Sequence, residues 1–242
     1  MNVAPTDPNP KARASIYPVV LEWFRGQPKG LVLDVPAGYG YLSLQLKEMG
    51  FEVTCGEIEP EIFSAPGLTC VYTDLNRQIG AADGTFDYVC CVDGLEHTTD
   101  PYRAVEEIGR VLKPGGFGVF SIPNYSNLEK RLKFLWHGYL TKPVVHDGGG
   151  LASVDLANLH NTPLTITLLE FLFRRNGLEI VAFKKDRAKR KMMLALYPMY
   201  CAMKVVNYCT SPSKRARRRT DITLHPDVIL GGNTLIIITK KS

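Results

Sequence analysis

The chain has 242 residues, 45% hydrophobic and 22% charged, which excludes a wholly disordered or fully membrane-embedded protein and leaves room for one well-packed domain. Its net charge of +5 is unevenly spread, because residues 184–219 hold 12 Lys and Arg against one Asp and the remainder is mildly acidic. Six cysteines (Cys55, Cys70, Cys90, Cys91, Cys201, Cys209) form no C-x-x-C pair, and the first four fall in segments that read as buried strands, so reduced cytoplasmic thiols and no metal site are expected.

Residues 1–12 carry three prolines and no apolar run, which predicts a flexible tail rather than a secretory signal, ahead of a single domain over 13–242. A helix is expected over Arg13 to Arg25, with Ile16, Val20 and Phe24 on one face and Gly26 as its stop. Gly30 to Val35 reads as a strand, followed by a Gly-rich turn and a helix carrying Leu42, Leu46 and Met49. Phe51 to Cys55, Leu68 to Tyr72 and Phe86 to Val92 read as strands, Pro101 to Leu112 as a helix, and Phe117 to Ile122 as a further strand entered through a turn at Lys113 to Gly116. Asn127 to Trp136 and Thr165 to Asn176 have helical spacing, residues 137–163 show no period, and Leu178 to Phe183 and Thr234 to Thr239 complete about seven strands. Between the last two strands lies a basic and apolar insertion at about 187–227, with Met192 to Met203 free of charge. Strands alternating with helices predict an α/β fold of the Rossmann-like, doubly wound kind, with a mostly parallel seven-stranded sheet covered by helices on both faces.

Ligands of such sheets sit beyond the carboxyl ends of the strands. There the sequence offers Gly38 and Gly40 in a turn whose backbone can approach a ligand closely. Glu57, after the second strand, could accept hydrogen bonds from both hydroxyls of a ribose, and Asp74, after the third, from an adenine amino group with Leu75 packed on the ring. Taken alone, each residue reads equally well as a turn or cap acid. Asp100 before Pro101 reads as a helix cap.

Together these residues resemble class I S-adenosylmethionine-dependent methyltransferases. Asp34 to Gly40 is similar to that family's Asp-x-Gly-x-Gly-x-Gly, with Pro36 in place of the first glycine. Glu57, Asp74-Leu75, Leu95-Glu-His-x-x-Asp-Pro101 and Leu112-Lys-Pro-Gly-Gly116 follow in the family's order. The resemblance implies S-adenosyl-L-methionine as cofactor, held by Asp34, Pro36, Ala37, Gly38, Tyr39, Gly40, Glu57, Ile58, Asp74, Leu75, Asp93 and Gly94. A nicotinamide-dependent oxidoreductase fits less well, since its G-x-G-x-x-G needs a third glycine where Ser43 stands.

For a hydroxyl acceptor the candidate general bases are His160, placed before a helix as in family members whose histidine faces the acceptor, then His97, with His146 a candidate by residue type alone. Ser121 to Tyr125 is similar to members that modify glycans, lipids or quinones, which implies O-methylation of a polar or lipid-linked metabolite. The apolar run between basic clusters suits an anionic membrane surface met through 184–219, and hence a cytoplasmic protein with peripheral contact at the inner face of the membrane. An insertion packed over the acceptor site, RNA methylation through the basic segment and a non-catalytic scaffold of the same fold are the alternatives the sequence leaves open.

Overall fold

The computed structural model describes residues 15–140, 162–186 and 190–242. Helix α1 (Tyr17–Arg25) precedes β1 (Leu31–Asp34), α2 (Tyr41–Glu48), β2 (Glu52–Glu57), β3 (Cys70–Tyr72), β4 (Phe86–Val92) and α3 (Pro101–Val111). Then come β5 (Leu112–Pro123), α4 (Leu128–His137), α5 (Ile166–Arg175) and β6 (Leu178–Lys185). Four helices, α6 (Arg190–Tyr208), α7 (Pro212–Arg217), α8 (Thr220–Thr223) and α9 (Pro226–Ile229), separate β6 from β7 (Thr234–Lys241).

These strands form one mixed seven-stranded sheet in the order β3-β2-β1-β4-β5-β7-β6, with β7 antiparallel to both of its neighbours and the rest parallel. Successive residues of the central strands point to opposite faces, so Val32, Cys90, Val119 and Ile236 pack against α1 and α2. Leu33, Cys91, Phe120 and Ile237 pack against α3 and α5 on the other face. Fully buried side chains such as Phe24, Phe120 and Phe173 each contribute roughly 1.5–3 kcal/mol relative to exposure.

Side chains start several helices. Asp100 Oδ1 accepts from Arg103 N at 3.0 Å ahead of Pro101, and Asn127 and Thr165 accept from Lys130 N and Leu168 N. Caps of this kind stabilise by about 1 kcal/mol each.

Two expectations are corrected. Cys70 is half-buried rather than buried, because β3 is an edge strand whose Val71 and Tyr72 stand exposed. The Lys113 to Gly116 turn is a bulge within β5: Leu112 pairs with Phe86 and Phe117 with Tyr88, so four residues loop out opposite the single Asp87. Gly115 takes φ 80° there, and a side chain at Gly116 would meet the Asp87 and Lys113 carbonyls at 2.9 Å. The charge-free run at 192–203 lies within the longer helix α6, which continues past Lys204 to Tyr208.

Candidate active site

The carboxyl ends of β1, β2, β3 and β4 open into a cavity of about 740 Å³, within the usual range for small-molecule sites. At the end of β1, Asp34 is buried and accepts a 2.6 Å bond from Ser43 Oγ, which ties α2 to the strand. Burial, opposed by that bond, pushes the Asp34 carboxyl up to about 7. The chain then turns through a cis Val35–Pro36 peptide, with Ala37 N donating to Gly56 O and Gly38 at φ 55°.

Glu57 closes this turn against β2. Its Oε2 accepts from Gly38 N at 2.7 Å and its Oε1 from Ile58 N at 2.9 Å, so the carboxylate is fixed while each oxygen keeps a lone pair for a ligand. At the end of β3, Asp74 accepts from both nitrogens of Asn76, and Asn76 Oδ1 in turn accepts from Thr99 N, Thr99 Oγ1 and Asp100 N. Asp74 is thus an Asx turn and a wall of the cavity at once, and Asn76 fixes the loops after β3 and β4 to one another.

The end of β4 is closely constrained. Asp93 adopts φ 48°, unusual for a residue with a side chain, and is held there by reciprocal bonds with Ser121: its N donates to Ser121 Oγ, and Ser121 Oγ donates to its Oδ1 at 2.6 Å. A side chain at Gly94 would meet Pro36 Cδ at 2.4 Å, so glycine is what allows the β1 and β4 turns to touch. The 3₁₀ turn Leu95–His97 follows, with Glu96 only 1% exposed, its Oε2 lacking any hydrogen-bond partner, and its carboxyl pushed up to about 8 by burial and then by Asp93. Tyr125, buried beyond β5, is pushed up to about 12 by burial and then by Glu96.

Of the residues expected to hold a cofactor, Asp34, Pro36, Ala37, Gly38, Glu57, Ile58, Asp74, Leu75, Asp93 and Gly94 line this cavity. Tyr39 and Gly40 do not: the Tyr39 carbonyl accepts from Ser64 N, and Gly40, at φ 89°, starts α2 where a side chain would meet Phe63 and Ala65. His97 lines the cavity, whereas His146 and His160 lie outside the described residues. Glu96, Tyr125, Lys130 and Lys133 also line it and were missed as site residues. Only Glu96 carried a signal, its place between the end of β4 and His97. Among the described residues, no three His, Cys, Asp or Glu side chains group as a metal site.

The family described as "Methyltransferase domain" matches residues 33–120, which run from β1 through most of β5. The matched segment is a methyltransferase domain by its family model, and the seven-stranded sheet that it helps to build has the class I methyltransferase fold. The ubiquinone biosynthesis O-methyltransferase of Colwellia psychrerythraea is 29% identical to this chain over 162 residues, which are 55% of it and 65% of that protein. The enzyme of the same name from Xanthomonas oryzae pv. oryzae is 35% identical over 94 residues, 35% of this chain and 39% of that protein. The aligned stretches therefore span less than two thirds of either relative.

Among solved structures, the domain is similar to an S-adenosylmethionine-dependent methyltransferase from Archaeoglobus fulgidus, with TM-score 0.55 and 16% identity over 93% of each chain. It is also similar to one from Mesorhizobium loti, with TM-score 0.55 and 14% identity over 94% of this chain and 98% of that one. At such identity these likenesses concern the fold.

The cofactor of the family is S-adenosyl-L-methionine, and the donor set of the methyltransferase domain fits it. Glu57 offers free lone pairs to vicinal hydroxyls, and the buried acids at the strand ends, Glu96 with an orphaned oxygen, suit a cation.

Proposed function

We propose that the chain catalyses O-methylation of a polar or lipid-linked biosynthetic metabolite, with a quinone-type phenol as the nearest chemistry. The observation that carries the reading is the fixed Glu57 carboxylate, which faces the same cavity as Asp74, Asp93 and the Gly38 backbone. The acceptor class is supported by the two relatives named ubiquinone biosynthesis O-methyltransferases.

Bound S-adenosyl-L-methionine supplies an activated methyl group for in-line displacement. The protein's part is to hold the acceptor oxygen in line and keep water out, and such positioning can supply about 7–11 kcal/mol in favourable cases. Tyr125 and the mouth residues Lys130, Lys133, Tyr139 and Leu140 offer an amphipathic wall on which an aromatic acceptor can lie. His97 lines the cavity, and His160, two residues before the described Thr162, remains a second candidate to assist at the acceptor hydroxyl.

Calorimetric titration with S-adenosylhomocysteine tests the reading. Wild type is expected to bind at micromolar Kd and Glu57→Ala at least tenfold more weakly, through loss of two charge-assisted hydrogen bonds. A folded wild type that ignores S-adenosylhomocysteine would leave a scaffold of the same fold as the better reading.

A peripheral site at an anionic membrane accompanies this proposal. No helix among the described residues is long and apolar enough to cross a membrane. Helices α4 and α6 nevertheless leave Phe134, Leu135, Trp136, Val206 and Tyr208 exposed, while Leu128 and Tyr200 join them through one small core. Lys214, Arg217 and Arg218 are exposed nearby in sequence.

A further inference from the structure

Glu96 stands apart from the other acids of the cavity. Glu57 has two backbone donors, Asp34 has the Ser43 hydroxyl, Asp74 has Asn76 and Asp93 has Ser121, whereas Glu96 Oε2 is buried with no hydrogen-bond partner. Among the described residues, the titratable groups around it are Cys91 and Asp93 at the end of β4, His97 on its own turn, and Tyr125 after β5. The charge influences resolved on it and on its neighbours Cys91 and Tyr125 come from carboxylates, with no lysine or arginine among them. A carboxyl so placed stays protonated until a positive charge is brought to it.

In strand order β3-β2-β1-β4, the ribose and adenine acceptors Glu57 and Asp74 follow β2 and β3, so Glu96, after β4, is on the opposite flank of the β1 turn. Resting on the cofactor reading above, we infer that Glu96 is the charge-compensating group of this site: it holds a proton when no cation is present, releases it on binding of the sulfonium, and takes up the proton of the acceptor hydroxyl as the sulfonium charge is discharged. The balance is complete. The S–CH₃ bond breaks with its electron pair left on sulfur, the O–CH₃ bond forms, and the O–H proton ends on the Glu96 carboxylate. Site charge is thus the same before and after transfer, and no positive charge has to build up in a buried cavity.

The magnitudes agree with this cycle. At pH 7 a carboxyl titrating near 8 is about nine-tenths protonated, and a cation within a few ångströms lowers such a group by roughly 1–3 units. A fall of two units would leave Glu96 mostly ionised, which corresponds to release of about 0.8 proton per sulfonium bound. Neutral S-adenosylhomocysteine has the same ribose and adenine and should release far less.

The test is calorimetric titration of wild type at pH 7 with S-adenosylmethionine and with S-adenosylhomocysteine, each in two buffers of different ionisation enthalpy. The expected result is near-stoichiometric proton release with the first ligand only, together with an affinity for S-adenosylmethionine that rises about tenfold from pH 6.5 to 8.5 relative to that for S-adenosylhomocysteine. In Glu96→Gln both differences should vanish while S-adenosylhomocysteine still binds. Equal proton release for the two ligands in wild type overturns the inference without using any variant and leaves the cofactor reading intact. A difference that persists in Glu96→Gln but is lost in Asp34→Asn or His97→Gln moves the role to that group and overturns it as well. If neither ligand binds wild type, the cofactor reading fails and the inference goes with it.

Discussion

Asp34 and Glu96 are both taken out of water without an ion-pair partner among the described residues, but the fold treats them differently. Asp34 receives the Ser43 hydroxyl and rises to about 7, while Glu96 rises to about 8 with one oxygen unbonded. The consequence for stability follows from proton counting. Unfolded, Glu96 would ionise near pH 4.3, so above that pH the folded state keeps a proton that the unfolded chain has lost, and stability falls as pH rises toward 8. Glu96→Gln removes this penalty and should melt above wild type, by roughly 5 °C at pH 8.5 and by almost nothing at pH 5, in thermal scans of the ligand-free protein. A difference independent of pH would show that the carboxyl is not what the cavity strains against. At this scale the sequence was informative where backbone chemistry is local: Gly38 and Glu57 stand at strand ends, and Asp100 precedes a proline. It marked Glu96 only by its place before His97, because burial and the loss of a partner depend on Asp93, Tyr125 and β4 meeting in space.

Helix α6 attaches by one stripe. Leu196, Tyr200, Met203 and Asn207 are buried or half-buried at helical spacing, while Tyr197, Met199, Val205, Val206 and Tyr208 on its other sides are exposed. On α4, Trp136 is 78% exposed, and on α6, Tyr208 is 81% exposed, a density of apolar surface that soluble faces rarely carry without a partner. The basic segment is partly spent inside the protein: Lys185 pairs with Asp227 at 2.8 Å, and Arg219 ties α8 to Glu170 of α5. Among the described residues, Lys214, Arg217 and Arg218 are exposed and available to an external anion. In a sedimentation assay at low salt, the protein should pellet with phosphatidylglycerol vesicles and not with phosphatidylcholine ones, and the double variant Trp136→Ser, Tyr208→Ser should lower binding about tenfold by withdrawing two aromatic anchors. Equal pelleting of the double variant would remove these helices from any membrane role. Composition revealed the apolar run and its basic flanks, but not which charges are already paired, since Asp227 and Glu170 reach Lys185 and Arg219 only in the folded chain.

The alternation of strands and helices was legible because parallel strands covered on both faces are continuously apolar, as in Val89 to Val92. Their order was not, since pairing is a tertiary choice and nothing in Leu235 to Ile238 says that this strand runs antiparallel between β5 and β6. A chain stopped at residue 232 should therefore lose more than an edge: β5 and β6 would both be left with open ladders, and the shortened protein should be recovered as aggregate rather than as a monomer on size exclusion. The same arrangement sets a timetable for synthesis. Six strands emerge from the ribosome before the one that joins β6 to the rest, so β6 and the helices after it must wait, with Ile180 and Phe183 uncovered, until residues 234–241 have cleared the exit tunnel. For that interval the nascent chain is a client for whatever shields apolar surface in the cell, and its yield should depend more on such help than a sheet assembled in chain order would.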